Sequence, residues 1–176
     1  MTQIHIIAID TGNEPHAIRS AAEWWGADVT MTWVGNSDQI VNLLSTEPVQ
    51  QLIVISGHGD ERGLLLPPLA AEIADNYTYN EVICPSDFAQ FLHLKNNGVV
   101  SLACMGGDPQ LAAAFLKGGA SFYIGPNGYP NGDASLMYAL EFMYNYLCLC
   151  WSVADAHHAA ADHPDDRKQF ILYKGD

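Results

Sequence analysis

The chain alternates short apolar runs with segments whose apolar residues recur at helical spacing. The run "IHIIAI" (4–9) has no continuous polar face, as expected for a strand that is buried on both sides. The segment "DPQLAAAFLKGG" (108–119) has proline just inside its start and glycine past its end, which is typical of a helix. By these criteria we predict strands over 4–9, 28–34, 51–56, 98–104, 120–125 and 169–174, and helices over 17–25, 37–45, 86–94, 108–119, 133–150 and 151–161.

This alternation predicts an α/β fold with a mostly parallel central sheet of about six strands and helices on both faces. No internal repeat or low-complexity tract is visible, and we interpret residues 1–176 as a single domain. In open sheets of this kind, ligands bind beyond the carboxyl ends of the strands. Reactive side chains that directly follow a predicted strand are therefore candidates for a site.

Two predicted strands are followed by such a side chain. His58 stands in "VISGHGDERG" (54–63), and Cys104 stands in "VVSLACMGG" (99–107). If strands 51–56 and 98–104 are neighbours in a parallel sheet, the two side chains lie within about 5–7 Å, since adjacent strands are about 4.8 Å apart. Taken singly, the cysteine also fits a small buried apolar residue and the histidine a turn residue.

A cysteine beside a histidine has the parts of a nucleophilic site. The thiol of Cys104 would be the nucleophile and the imidazole of His58 the general acid and base. Gly59 has no side chain, so its N–H can approach a substrate carbonyl closely, and we expect the second oxyanion donor to be the N–H of Cys104 or of a residue just after it. A helix that starts soon after Cys104 would favour negative charge nearby.

Charge and cysteine usage narrow the classes of function. The chain has 20 acidic and 7 basic residues, a formal net charge of −13, which disfavours nucleic acid and anionic membrane surfaces as partners. It favours basic peptides or divalent cations. The four cysteines do not suggest a disulfide framework in a chain this rich in apolar residues, and "MTQIHIIAID" does not read as a signal peptide, so we expect a cytoplasmic location.

An apolar stretch over 134–156 is nearly long enough to span a membrane. Glu141 and Asn145 lie four residues apart within it and would share one helical face. We therefore predict a buried or interface helix with one polar stripe.

Three segments together resemble the caspase–gingipain–separase superfamily of cysteine peptidases, in particular its CHAT and gingipain-like branches. They are "SGHGDERGLLLPP", "CPSDFAQFLHLKNNGVVSLACMGG" and "LAAAFLKGGASFYIGP", followed by the helices "DASLMYALEFMYNYL" and "CWSVADAHHAA". The resemblance covers roughly residues 51–160. It implies a caspase-like αβα sandwich and hydrolysis of peptide bonds through an acyl-enzyme.

The resemblance also implies roles for particular residues. His58 matches the catalytic histidine of the family and Cys104 its nucleophile. Asp133 falls where arginine-selecting members place an acid that receives the P1 side chain, and Asp10 is a second candidate for that pocket. Asp133 is equally placed to be the N-cap of the helix that it opens. The approach to this aspartate, "GPNGYPNGDAS", departs from the tryptophan-containing pattern of the family.

Other clusters of reactive residues have simpler interpretations. His157, His158 and His163 stand near several aspartates, but adjacent histidines on a helix point about 100° apart, so we expect a solvated helix end and no metal site. Cys148 and Cys150 would lie on different helix faces and are interpreted as core or interface packing. We expect no cofactor. Some relatives bind calcium, and the acidic surplus is compatible with it, but no loop has the spacing of calcium ligands.

Three hypotheses follow for the function. The first is a cysteine endopeptidase with the Cys104–His58 dyad, a weak preference for arginine or lysine at P1, and a protein or peptide as substrate. The second is a catalytically silent caspase-like module that binds a regulatory partner or a second copy of itself through the apolar helix. The third is a small-molecule α/β enzyme in which the pair is incidental.

Overall fold

A six-stranded sheet forms the centre of the structure, a computed structural model in which residues 1–175 are described. The strand order is β2-β1-β3-β7-β8-β9; all neighbours are parallel except β8 and β9, which are antiparallel. This confirms the predicted α/β class and the mostly parallel sheet of about six strands. The strands are β1 (Gln3–Ile9), β2 (Asp28–Val34), β3 (Leu52–Ser56), β4 (Gly59–Asp60), β5 (Gly63–Leu65), β6 (Val82–Ile83), β7 (Gly98–Ser101), β8 (Phe122–Pro126) and β9 (Phe170–Lys174).

Helices cover both faces of the central sheet, so that the architecture is an αβα sandwich. The helices are α1 (Glu14–Trp24), α2 (Ser37–Leu44), α3 (Ala71–Ala74), α4 (Pro85–Phe91), α5 (Pro109–Lys117), α6 (Gly132–Met143) and α7 (Val153–Ala161). Helices α2, α4 and α5 pack on one face, and α1, α6 and α7 pack on the other.

The strands divide their side chains between two cores, as the two-residue period of a strand requires. Along β3, Ile53 and Ile55 belong to the first core, whereas Leu52 and Val54 belong to the second. Both cores are fully desolvated, which accounts for the nearly continuous apolar runs of the central strands.

A second, three-stranded antiparallel sheet, β4-β5-β6, follows His58 and lies outside the central sheet. The apolar pattern alone predicts no regular structure here, because each strand has only two or three residues. The hairpin of β4 and β5 directly follows His58. It pairs Gly59 with Leu64 and Asp60 with Gly63.

The apolar stretch 134–156 is not one continuous helix. Helix α6 passes into a π-helical turn (Tyr144–Cys148), and α7 begins after a short break. Within residues 1–175, no helix combines the length and the apolar character that a bilayer crossing needs. Glu141 of the predicted polar stripe is half-buried and ion-pairs with Arg167 at 3.1 Å, and Asn145 is buried.

The aromatic residues give a direct test of this packing. Phe115 is 1% exposed and lies between Phe88 and Tyr123, with ring centroids 5.0 and 4.8 Å away, whereas Trp24 is 87% exposed. We expect Phe115→Ala to lower the free energy of unfolding by about 3–5 kcal/mol, because it leaves a cavity in the first core. Trp24→Ala, the matched control, should change it by less than about 0.5 kcal/mol. Urea unfolding followed by circular dichroism measures both; equal losses would contradict this packing.

Candidate active site

The pairing of β3 with β7 brings the segments that carry His58 and Cys104 together. The strands are parallel neighbours, and Ile55 is in register with Ser101. The N–H of Leu102 donates to the carbonyl of Ile55 at 2.8 Å, so the pairing continues one residue past the strand. Both His58 and Cys104 stand three residues beyond the register pair. The predicted adjacency of the two strands is therefore confirmed.

Contact between the two segments is closest at Gly59. A Cβ atom at this position would overlap the carbonyl oxygen of Cys104 and would lie 3.3 Å from Cβ of Ala103. Only glycine fits without moving one of the two chains. The residue next to the histidine thus touches the backbone of the cysteine itself.

Hydrogen bonding in the hairpin leaves the N–H of Gly59 directed away from its partner strand. Leu65 donates its N–H to the carbonyl of His58 at 3.0 Å, which makes these two residues a hydrogen-bonded pair. In an antiparallel ladder the next pair, Gly59 with Leu64, is then a non-hydrogen-bonded one. The N–H of Gly59 is consequently not bonded within the hairpin ladder.

The thiol of Cys104 is half-buried. Burial raises the pKa of this thiol, and a hydrogen bond from its own backbone N–H opposes the rise. The neighbouring N–H of Met105 already donates to the carbonyl of Gly128 at 2.8 Å. Of these two N–H groups, that of Cys104 is the one directed toward the sulfur.

Two tyrosines, the buried Tyr123 and the half-buried Tyr173, hold the turn that follows Cys104. Tyr123 donates its hydroxyl to the carbonyl of Gly106 at 2.8 Å, and Tyr173 donates to the carbonyl of Gly107 at 2.7 Å. Met105 has a left-handed backbone with φ of 54°. Such a conformation costs energy in a non-glycine residue, so the surrounding bonds must fix it. The turn that presents the cysteine is therefore rigidly attached to β8 and β9.

Glu14, in the first turn of α1, is a site residue that sequence reasoning missed. Its carboxylate accepts a hydrogen bond of 2.6 Å from the hydroxyl of Ser56, two residues before His58. Burial raises the pKa of Glu14, while the bond from Ser56 and the charge of His58 oppose the rise. An acid in the first turn of a helix is common near the positive end of the helix dipole, so the sequence contained no signal for a role beyond that.

Asp10 lies on the neighbouring strand, at the same edge of the sheet. Ala8 of β1 is in register with Ser56 of β3, so Asp10 and His58 both stand two residues beyond that pair. Asp10 is exposed and has a left-handed backbone with φ of 46°. The register therefore places Asp10 at the same level as His58.

Asp133 is exposed in the first turn of α6, but it is not the N-cap. Asn131 caps the helix and accepts a hydrogen bond from the N–H of Asp133 at 3.0 Å, so the N-cap interpretation of Asp133 is wrong. Asp133 borders a depression that is lined by Asn131, Asp133, Ala134, Met137, Asp165 and Asp166. This lining includes neither His58 nor Cys104.

Tyr129, which the sequence also did not single out, stands between these two regions. It follows Gly128, whose carbonyl accepts the N–H of Met105, and its side chain is 54% exposed. Hydrogen bonding to Glu61 raises the pKa of Tyr129 to about 12, and the charge of Cys104 acts in the same direction. Tyr129 therefore follows directly on the residue to which the cysteine turn is hydrogen-bonded.

The histidines and cysteines near α7 are placed differently, in part, from what the sequence predicts. His157 is half-buried, and its Nδ1 is 2.7 Å from the hydroxyl of Tyr138, so it does not belong to a solvated helix end. Among residues 1–175, no group of three or more His, Cys, Asp or Glu side chains is arranged to hold a metal ion. Cys148 and Cys150 are exposed, which makes the core interpretation of these residues wrong. The helix ends before Cys150, and the chain there leaves the core.

Comparison with known proteins gives matches in structure alone. No protein-family model and no curated protein sequence matches the chain. The Arg-specific cysteine proteinase gingipain R aligns with 98% of the chain at 13% identity and a TM-score of 0.63. Separase of Saccharomyces cerevisiae, in complex with securin, aligns with 99% at 13% identity and a TM-score of 0.60. A secreted C11 cysteine protease from Bacteroides thetaiotaomicron aligns with 98% at 11% identity and a TM-score of 0.56.

The chain is shorter than these proteins, since it spans 46% of the gingipain chain, 66% of the C11 protease and 12% of the separase. At such identities the likeness concerns architecture, and the CHAT assignment stays a prediction. The sheet order, the helices on both faces and the structural neighbours agree on one conclusion: this chain has the caspase-like αβα fold that gingipain, separase and the C11 cysteine protease share.

Proposed function

We propose that the chain is a cysteine endopeptidase in which Cys104 attacks the peptide carbonyl and His58 transfers protons. The observation that carries the proposal is the register of β3 and β7, which sets both residues three positions beyond the pair of Ile55 and Ser101. The structural neighbours, which are cysteine proteases, support the same reaction class.

The proton transfers start from a neutral Cys104 thiol, the state that burial favours. Because burial keeps the resting thiol neutral, His58 takes the proton from Sγ as the sulfur attacks. The imidazolium then gives this proton to the leaving amine, and a thioester acyl-enzyme remains. Water, activated by the neutral imidazole, hydrolyses the thioester and restores the thiol.

Two backbone N–H groups would stabilise the oxyanion of each tetrahedral intermediate. The N–H of Gly59 is not used by the hairpin ladder, and the N–H of Cys104 lies beside the sulfur. Both belong to backbone fixed by neighbouring strands and turns, so they need no reorganisation during the reaction. Positive charge on His58 would be stabilised by Glu14, which we assign as a positioning residue.

Asp10 and Asp133 are the proposed acids for a basic P1 residue. Asp10 has the stronger structural support, since the register of β1 and β3 places it level with His58. Asp133 is joined to the cysteine turn through the stretch from Gly128 to Asn131. A carboxylate in either place would bind a guanidinium or an ammonium group.

A silent binding module is the second candidate function, and one observation favours it. Burial raises the pKa of Cys104, whereas nucleophilic cysteines generally have a lowered one. Two of the structural neighbours form complexes with protein segments, the mature domain of RgpB with its pro-domain and separase with securin, which supports a regulatory protein partner here. The net charge of −13 favours basic protein partners over nucleic acid or membranes.

The dyad is tested by hydrolysis of a fluorogenic peptide library, with reductant present and with and without calcium. Cys104→Ala and His58→Ala should each lower kcat/KM by at least about 10³-fold, because each removes a group that acts in the chemical step. Cys84→Ser, a cysteine change in the loop before α4, is the matched control and should retain activity. Turnover that survives in Cys104→Ala would reject the peptidase proposal.

Glu14→Gln separates positioning from stability. The pKa of Glu14 is higher in the folded chain than in the unfolded one, so its ionised form costs stability at neutral pH, and this cost disappears as the pH falls below about 4. Glutamine still accepts the Ser56 hydroxyl but carries no charge. We expect unfolding at pH 7 to need at least as much urea as in wild type, with the difference shrinking toward pH 4, while kcat/KM falls by about 10-fold. Loss of stability together with activity would indicate a merely structural carboxylate.

The P1 acids are tested with paired substrates that carry arginine or its neutral isostere citrulline at P1. Asp10→Asn and Asp133→Asn should each lower kcat/KM for the arginine substrate by about 10-fold or more if the carboxylate contacts the guanidinium. Activity on the citrulline substrate should stay unchanged. If only one variant shows this selective loss, that residue is the P1 acid; equal effects on both substrates would reject both assignments.

A further inference from the structure

Two exposed cysteines follow α6 and take no part in the proposed peptidase reaction. Cys148 is the last residue of the π-helical turn, and Cys150 follows after a single leucine, Leu149. Both are free thiols on the surface. Residues two apart on a regular helix point to opposite sides and cannot be bridged, so the backbone between them decides what they can do.

The Cα atoms of this pair are at disulfide distance. Leu149 between them has helical angles, with φ of −89° and ψ of −7°. From helix geometry, two residues on either side of such a residue have Cα atoms about 5.4 Å apart. Disulfides span about 4.4–6.8 Å between Cα atoms, so no backbone movement is needed to close the bond.

The direction of the second side chain also differs from that in a helix. Cys150 has φ of 54°, which rotates its Cβ by about 117° from the direction in a continuing helix. Its sulfur lies 3.8 Å from the carbonyl oxygen of Leu147, the residue directly before Cys148, and so is turned back along the chain. Burial and then the charge of Cys150 raise the pKa of Cys148, as expected for neighbouring sulfurs.

This pair lies at the edge of the sheet opposite to Cys104. Cys150 lines a depression together with Thr2, Gln51, Tyr146, Leu147 and Trp151. Thr2 precedes β1 and Gln51 precedes β3, so the depression lies at the amino ends of these parallel strands. His58 and Cys104 follow the carboxyl ends. Chemistry at the pair is therefore separate from chemistry at the candidate active site.

We propose that Cys148 and Cys150 form a redox-active dithiol that exchanges with low-molecular-weight disulfides, of which oxidised glutathione is the probe. One thiolate attacks a sulfur of the small disulfide, forms a mixed disulfide and releases one small thiolate. The second cysteine thiolate then attacks the protein sulfur of that mixed disulfide and releases the other. Two protein thiols are oxidised to one disulfide, and one small disulfide is reduced to two thiols.

The resulting bond should be easily reversed. It closes a ring around a single intervening residue and stays exposed, and such disulfides are the reducible ones. Because the thiolate is the attacking species and the pKa of Cys148 is raised, the rate of exchange should increase as the pH rises.

Trypsin makes the test direct, because the cleavage sites separate the thiols. Cleavage after Arg62, Lys95, Lys117 and Arg167 leaves Cys84 in peptide 63–95, Cys104 in 96–117 and the pair in 118–167. The folded protein is treated with oxidised glutathione at about pH 8.5, alkylated and digested. We expect peptide 118–167 to lose two hydrogen atoms and resist alkylation, and dithiothreitol to restore both thiols.

The variants decide between a pair and two independent thiols. Cys148→Ser and Cys150→Ser should each trap one glutathione on peptide 118–167, because the second attack is missing. Cys104→Ala should behave as wild type, which keeps this result independent of the peptidase proposal. Two glutathiones on the wild-type peptide, two alkylated thiols, or a dimer linked through this peptide would each overturn the dithiol.

Discussion

The parallel register of β3 against β7 is the constraint on which the candidate site depends. These strands carry no reactive side chain themselves; their backbone hydrogen bonds fix the point at which each chain leaves the sheet. A shift by one residue would turn every side chain of a strand to the opposite face, and the two separate apolar cores forbid it. Burial of ordinary aliphatic residues thus determines where His58 and Cys104 stand.

The turn after Cys104 is connected to the hydrophobic core by hydrogen bonds. Its carbonyl groups accept hydrogen bonds from Tyr123 and Tyr173, whose rings belong to or pack against the first core. Because the carbonyl groups are shielded from water, these hydrogen bonds contribute more to stability than they would in water, and leaving a buried carbonyl unpaired is costly. The same desolvation raises the pKa of the cysteine, so the rigidity of the turn and the neutrality of its thiol have one cause.

The sheet and the adjacency of the segments that carry His58 and Cys104 could be predicted from the sequence, because both depend on patterns of neighbouring residues. Apolar runs mark buried strands, and reactive residues directly after them meet at one edge. Glu14 and Tyr129 were missed because their contacts join residues that are distant along the chain. The core interpretation of Cys150 is wrong for a different reason. Its left-handed backbone ends the helix on which that interpretation relied. The N-cap of α6 is Asn131 and not Asp133, because an amide oxygen accepts the hydrogen bond of a cap as well as a carboxylate does.

The length of the chain between β3 and β7 affects how the protein folds. The paired residues Ile55 and Ser101 are joined by a long excursion that contains the small sheet β4-β5-β6 and helix α4. Closing such a loop costs entropy before any side chain is buried, and folds built from distant parallel pairs acquire their structure slowly. We therefore expect His58 and Cys104 to meet in the later stages of folding, so that partly folded chains hold the sulfur and the imidazole apart.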